Sequence, residues 1–262
     1  MNLAFWEAAP ASTSGSAVIL LHGFPLASGM WRSQLEELSR EFRVVTPDLR
    51  GHGRSPAPVG SYSMEELAAD VIELADRLGI TEPMVVGGLS MGGYVALALA
   101  LAYPRRLRGL MLVDTRAAAD TPEAASGRIE SARRVLAAGS AAEVIQALVP
   151  RLFAASTRQR HPERIEPIVE MMRQTPVHGV AGALLGMAGR PDRRAELGRI
   201  DVPTLVLVGE EDEISPPEEA RAMAAALPRG RLELVPEAGH LAPYENPAAV
   251  SDAMLRFLRD LA

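Results

Sequence analysis

Six short apolar runs punctuate the chain: Ala17–Leu21, Arg43–Thr46, Met84–Gly87, Leu110–Val113, Thr204–Val208 and Arg231–Val235. Several are unbroken Val, Ile and Leu. A strand with one wet face alternates apolar and polar residues. An unbroken run belongs to a strand covered on both faces, as in a parallel sheet. Between the runs lie MWRSQLEELSREF, SMEELAADVIELADRLG and PPEEARAMAAALP, each with apolar residues at helical spacing. Ser63 opens the second of these with Glu66 three residues on, the spacing of a capping box. This alternation predicts an α/β fold: a mostly parallel, twisted sheet with helices on both faces and right-handed crossovers. Leu3–Trp6 predicts one further edge strand.

The alternation fails between Asp114 and Ile200. That stretch holds helical pieces instead, such as EAASGRIESARRVLAAG and AAEVIQALVPRLF. It is too long for a structureless loop. The reading is a helical insertion at 116–195 over one end of the sheet, with residues 1–115 and 196–262 forming the core. The length of 262 residues and 48% hydrophobic content suit one large domain with such an insertion.

Composition removes several chemistries. The chain has no cysteine, which excludes disulfides and thiolate catalysis, and all 27 basic residues are arginine, which excludes a Schiff-base lysine. The net charge of −6 argues against nucleic acid as a partner. The N-terminal MNLAFWEAAPASTSGS has no basic residue and no long apolar region, so it does not read as a secretory signal. No apolar run approaches the ~20 residues that span a bilayer. A soluble, cytoplasmic protein is expected.

The stretch VVGGLSMGGYVALALA places Gly88-Leu89-Ser90-Met91-Gly92, a G-x-S-x-G motif, between a strand and a helix. A turn that tight strains its central residue, and the flanking glycines let the chain close. Ser90 then stands above the sheet. The Met91 N–H opens the helix without an internal partner, where the helix dipole favours negative charge. A serine nucleophile needs a base. Of the five histidines (His22, His52, His161, His178 and His240), His240 sits in LVPEAGHLAPYENP, a glycine-bearing loop just past the last run. That loop opens onto the same sheet edge as Ser90. A carboxylate must hold the tautomer of the base. TLVLVGEEDEISPP offers Glu210, Glu211, Asp212 and Glu213, and spacing does not separate Asp212 from Glu211. VILLHGFP supplies a second oxyanion donor, the Phe24 N–H, with the Phe24 ring lining the pocket. His22 reads as a turn-stabilising residue.

LHGFP, VVTPDLRGHGRS, GLSMGG, GEEDEISPP and AGHLAPYENP follow one another in the order of the α/β-hydrolase superfamily, which the chain resembles outside the insertion. The resemblance implies the α/β-hydrolase fold and Asp212 as the acid, in the chain order Ser90, Asp212, His240. It implies that the insertion is a cap shaping the substrate pocket. It also implies that His52, Asp48 and the arginines of DLRGHGRS tie loops together rather than do chemistry. The sequence is most similar to small capped carboxylesterases and 3-oxoadipate enol-lactonase-like hydrolases. Haloalkane dehalogenases and epoxide hydrolases of this fold use an aspartate where Ser90 stands.

The expected function is a serine hydrolase of small carboxylic esters, with no metal or cofactor. Alternatives are an enol-lactonase acting on a carboxylate-bearing lactone, and a small-molecule sensor that keeps the triad and signals to a partner protein. Perhydrolase activity and C–C bond hydrolysis use the same residues. The expected partner is a small ester or lactone, without nucleic acid or membrane, for a monomer or homodimer. The segment 116–195 carries 12 Arg against 8 Asp and Glu, a net +4 that could attract a carboxylate. Arginines at helical spacing mostly point outward, however. Phe153, the lone aromatic of that segment, is assigned to the substrate pocket, whereas Met171, Met172 and Met187 read as packing.

Overall fold

The computed structural model describes residues 1–11 and 16–261. Residues 12–15, within the N-terminal stretch read as lacking a signal, and Ala262, the last residue of the 196–262 core segment, lie outside them.

The apolar runs form strands β2 (Val18–Leu21), β3 (Val44–Pro47), β4 (Met84–Leu89), β5 (Leu107–Val113), β6 (Thr204–Gly209) and β7 (Gly230–Val235). The edge strand β1 forms at Phe5–Ala8, two residues later than its run suggests. The seven strands stand in the order β1-β3-β2-β4-β5-β6-β7. Only β1 is antiparallel, with Phe5 opposite Pro47. Strands β2, β3, β4 and β6 are buried at every position, which is why their runs are unbroken. The edge strand β7 stays partly exposed. Strand β5 starts three residues before its apolar run, because Arg108 and Gly109 interrupt the pattern without ending the pairing. Leu107 pairs with Met84 and Gly109 with Val85, so the exposed Arg108 is the extra residue of a bulge.

Helices α1 (Arg32–Leu38) and α2 (Met64–Arg77) follow β2 and β3. Strand β3 lies on one side of β2 and β4 on the other, so right-handed crossovers send α1 and α2 to opposite faces of the sheet. The Ser63 capping box is present: the Ser63 Oγ accepts from the Glu66 N–H at 3.2 Å, and the Glu66 carboxylate accepts from the Ser63 N–H at 3.0 Å. Helix α3 (Met91–Ala102) is apolar all round, buried from Met91 to Ala100, and packs on α2.

Between β5 and β6 the chain builds α4 (Pro122–Ala138), α5 (Ala142–Leu152), α6 (Ala155–Arg160), α7 (Ile165–Arg173) and α8 (Val177–Ala188). Helix α8, VHGVAGALLGMA, packs on α4 and lays a flat glycine face on the loop before α2. A Cβ at Gly179 would strike the Gly51 carbonyl, and one at Gly186 the Tyr62 carbonyl. The insertion is also tied down by charge. Buried Asp120 receives Arg116 at 3.1 Å, Arg128 at 2.6 Å and Arg190 at 2.8 Å. Burial works to raise the Asp120 carboxyl, but Arg190 and Arg128 outweigh it and hold it at about 2. The Arg190 guanidinium lies 4.2 Å from the ring centroid of Tyr94 on α3.

The core closes with α9 (Pro217–Ala226), α10 (Ala242–Glu245) and α11 (Pro247–Arg259), and α11 packs against α1. Among the described residues, no helix is long and apolar enough to cross a membrane.

Candidate active site

The strand order reverses at β2, and the loops leaving β2 and β4 meet there, the usual place for an α/β site. Ser90 joins β4 to α3 with φ 53° and ψ −112°, a conformation that costs a non-glycine residue on the order of 1–3 kcal/mol. The surroundings fix it. The Ser90 N–H donates to the Val113 carbonyl at 2.9 Å. Its own carbonyl accepts from Gly93 and Tyr94 N–H groups and from the Thr115 hydroxyl at 2.8 Å. The motif glycines are needed for close approach. A Cβ at Gly88 would strike the Gly92 carbonyl, and one at Gly92 the Leu21 carbonyl at the end of β2.

His240 Nε2 lies 2.8 Å from Ser90 Oγ. Its Nδ1 lies 2.9 and 3.0 Å from the two carboxylate oxygens of Asp212. Asp212 Oδ1 also accepts from the Ile214 and Ser215 N–H groups at 2.8 and 3.0 Å. A carboxylate only accepts, so the imidazole proton sits on Nδ1 and the Nε2 lone pair faces the serine hydroxyl. Asp212 and His240 are buried, while Ser90 is half-buried.

Asp212, not Glu211, is therefore the carboxylate hydrogen-bonded to His240. Glu211 bonds the insertion instead. It accepts from the Ala155 N–H at 2.9 Å and the Ser156 hydroxyl at 3.2 Å, both on the insertion.

Phe24 and Met91 flank Ser90. A side chain at Gly23 would come within 3.5 Å of the Ser90 Cβ, so the Gly23-Phe24 backbone borders the serine. Met91 is the first residue of α3, where N–H groups lack intrahelical acceptors. The Phe24 ring is half-buried, edge-on to His52 at 6.4 Å.

The other histidines do different work. His22 accepts from the Leu49 N–H at Nε2 and donates from Nδ1 to the Gly23 carbonyl, each at 2.9 Å, and burial lowers its pKa. His52 Nδ1 lies 2.9 Å from the Arg50 carbonyl, and burial drives its pKa down to about 3. Asp48 accepts from the Ser28 N–H and hydroxyl and the Arg54 N–H. Burial opposes ionisation of Asp48, but these hydrogen bonds outweigh it and hold its pKa below the usual carboxylate value. His161 and His178 are exposed. Phe153 is buried, with its ring T-shaped to Tyr244 at 6.5 Å and its backbone against Gly239, one residue from His240. The Met171 sulfur accepts from the Ala27 N–H at 3.4 Å, and Met172 and Met187 are buried.

Two buried acids escaped the sequence reading. Asp114, with φ 45°, directly follows β5 and accepts from the Gly209 N–H at 2.8 Å and the Ala242 N–H at 3.1 Å. Burial, then the nearby Asp212 charge, push its pKa well up. Glu245 accepts from the Gly239 and Ala154 N–H groups, each at 2.8 Å, and burial raises its pKa. Asp114 carried one signal, as the first acid after a buried run. Nothing in its spacing marked Glu245.

A cavity of about 790 Å³ opens in the insertion between α5 and α7, beside Ile145, Val149, Ile165, Val169 and Thr175, and neither Ser90 nor His240 lines it. Among the described residues, no group of His, Asp and Glu is placed to hold a metal ion.

A family model described as the alpha/beta hydrolase fold matches residues 16–247. The chain belongs to the α/β-hydrolase family. Its fold is nearly that of a thermophilic esterase from Thermogutta terrifontis solved with malate bound: TM-score 0.95 and 48% identity, covering 99% of this chain and 93% of that one. The enol-lactonase from Burkholderia xenovorans gives a TM-score of 0.90 at 31% identity, covering 98% and 96%. 3-Oxoadipate enol-lactonase 2 of Acinetobacter baylyi is 28% identical, covering 91% of this chain and 86% of that protein. The α/β-hydrolase expectation thus holds, and the chain is a hydrolase of that family.

Proposed function

We propose that this hydrolase cleaves carboxylic esters of small molecules through an acyl-enzyme. The observation carrying the reading is the hydrogen-bonded line from Ser90 Oγ through His240 to Asp212, at 2.8 and 2.9 Å. Ser90 Oγ attacks the ester carbonyl carbon while His240 Nε2 takes its proton. Asp212 holds the Nδ1 proton and stabilises the imidazolium. The Phe24 and Met91 N–H groups donate to the carbonyl oxygen as it gains charge. The C–O bond then breaks, and His240 returns the proton to the departing alkoxide. Water, activated by the same imidazole, releases the acid and regenerates Ser90. No step calls for a metal or cofactor. The Phe24 ring lines the acyl pocket, and the insertion acts as a cap over it. Phe153 serves that pocket from the cap side, where its backbone borders the His240 loop.

A lactone is a cyclic ester, and the same steps open it. The relatives named as enol-lactonases support that second reading. A panel of p-nitrophenyl esters and lactones, run on the native protein and on Ser90→Ala, tests both. The ester reading expects turnover of short acyl esters that Ser90→Ala abolishes. Turnover of lactones alone would favour the second reading, and no turnover of either would refute both.

A further inference from the structure

The insertion meets both loops that carry the His240–Asp212 pair, and it meets them through carboxylates beside that pair. Glu245 receives Gly239, next to His240, on Oε1, and Ala154, at the start of α6, on Oε2. Thr157, in the first turn of α6, is buried and faces Glu245, where it favours the charged carboxylate. The Glu245 backbone carbonyl accepts from Arg164 at 3.0 Å, and the Tyr244 hydroxyl donates to the Arg164 carbonyl at 2.9 Å. Glu245 is only 6% exposed, so water offers its oxygens little alternative. Both carboxylate oxygens are committed, one to each side of the seam between core and insertion.

We propose that Glu245 is a positioning residue for the reaction. It locks the Gly239-His240 backbone to the start of α6, so that seating the insertion and placing the base are one event. The proposal rests on His240 being the base of Ser90. Two N–H donors converge on Glu245, and each needs an acceptor oxygen. A glutamine offers one oxygen and turns an NH₂ toward the other donor. The Gly239 peptide then shifts, and with it the 2.8 Å contact between His240 and Ser90. Reactivity should suffer even toward a substrate too small to touch the insertion, because the loss is in the base and not in the pocket.

The experiment compares the native protein, Glu245→Gln and Thr157→Val by kcat and KM for p-nitrophenyl acetate, by the rate of Ser90 labelling with a fluorophosphonate, and by thermal unfolding. For Glu245→Gln, kcat and the labelling rate should fall together by roughly tenfold or more, with KM changed less than threefold, well below Tm. Thr157→Val removes the polar group that favours the Glu245 carboxylate from the insertion side, at nearly constant size. It should show the same pattern at a few-fold, and it carries the test if Glu245→Gln does not fold. A lower Tm with native kcat and native labelling in the folded variants would overturn the proposal, leaving Glu245 a purely structural clamp. A native protein that turns over ester yet resists labelling at Ser90 would instead refute the reading of the active site.

Discussion

The sheet edge and the insertion above it handle charge in opposite ways. At the edge, buried carboxylates are fed by backbone N–H groups: Asp212 by Ile214 and Ser215, Asp114 by Gly209 and Ala242, Glu245 by Gly239 and Ala154. On the insertion, most charge is paired side chain to side chain at the surface, as in Arg133–Glu130, Arg173–Glu166 and Arg194–Asp192. A backbone donor cannot swing away without moving its loop, so the edge is rigid and its geometry is fixed before substrate arrives. An exposed ion pair contributes about 0–1 kcal/mol and is easily rearranged. Substitution effects should therefore shrink from the edge outward.

The largest effect belongs to Ser90. Ser90→Ala should lower ester turnover by on the order of 10⁴ or more while leaving the unfolding midpoint near native. A folded variant with near-native turnover would mean that Ser90 is not the nucleophile. Asp212→Asn comes next. The amide can donate to His240 Nδ1 and favour the wrong tautomer, at a cost of about 10³–10⁴ in kcat. Asp114→Asn removes an acceptor where two N–H donors converge but leaves the His240–Asp212 contact in place. It should cost about 1–3 kcal/mol of stability by urea titration, with a smaller loss of kcat than Asp212→Asn. Equal kcat losses at 114 and 212 would make the two acids a single unit.

The buried histidines sharpen the same contrast through pH. His22 and His52 are held neutral by burial, with His52 at about 3, below the ~6.5 of an exposed imidazole. The unfolded chain thus binds protons that the folded chain refuses. For His52, stability is full above the unfolded value and falls as pH drops toward 3, by up to about 1.4 kcal/mol per pH unit, and His22 adds a loss of the same sign. Urea midpoints at pH 7 and pH 4.5 measure the loss. His52→Asn, whose amide can still donate to the Arg50 carbonyl, should flatten the dependence. An unchanged slope would mean that His52 takes up its proton in the folded state.

The smallest effect should lie on the insertion surface. Acids outside it offset part of its net +4, Glu237 pairing with Arg160 and Glu65 with Arg193, and its other surface arginines are exposed to solvent and screened. Salt should then depress kcat/KM equally for a carboxylate-bearing lactone and a neutral ester, since screening acts over ~8–10 Å. A steep fall for the lactone alone would show the insertion steering anions and would favour the lactonase reading.

The sequence was most legible where burial is two-sided. Strands β2, β4 and β6 stand where their unbroken runs lie, because nothing polar is tolerated on either face. Ser90 was legible because its glycines answer a local steric need. Strand β5 was read short, since a bulge hides its start behind Arg108. Helix α8 carries no apolar period because its small face meets backbone instead of side chains, so sequence periodicity could not outline it. The choice between Asp212 and Glu211 needed three dimensions: both leave the same strand, and only their partners separate them. Glu245 was invisible for the same reason, as its partners lie 6 and 91 residues away in sequence.

Ester cleavage through an acyl group on Ser90 leaves a covalent trace during turnover. Rapid acid quench of the native protein during turnover of a p-nitrophenyl ester, followed by peptide mass spectrometry, tests it directly. The acyl mass should appear on the peptide containing Ser90, formed at least as fast as steady-state turnover and absent from Ser90→Ala. Full turnover with Ser90 unmodified at every quench time, or an acyl group on another residue at a competent rate, would contradict it.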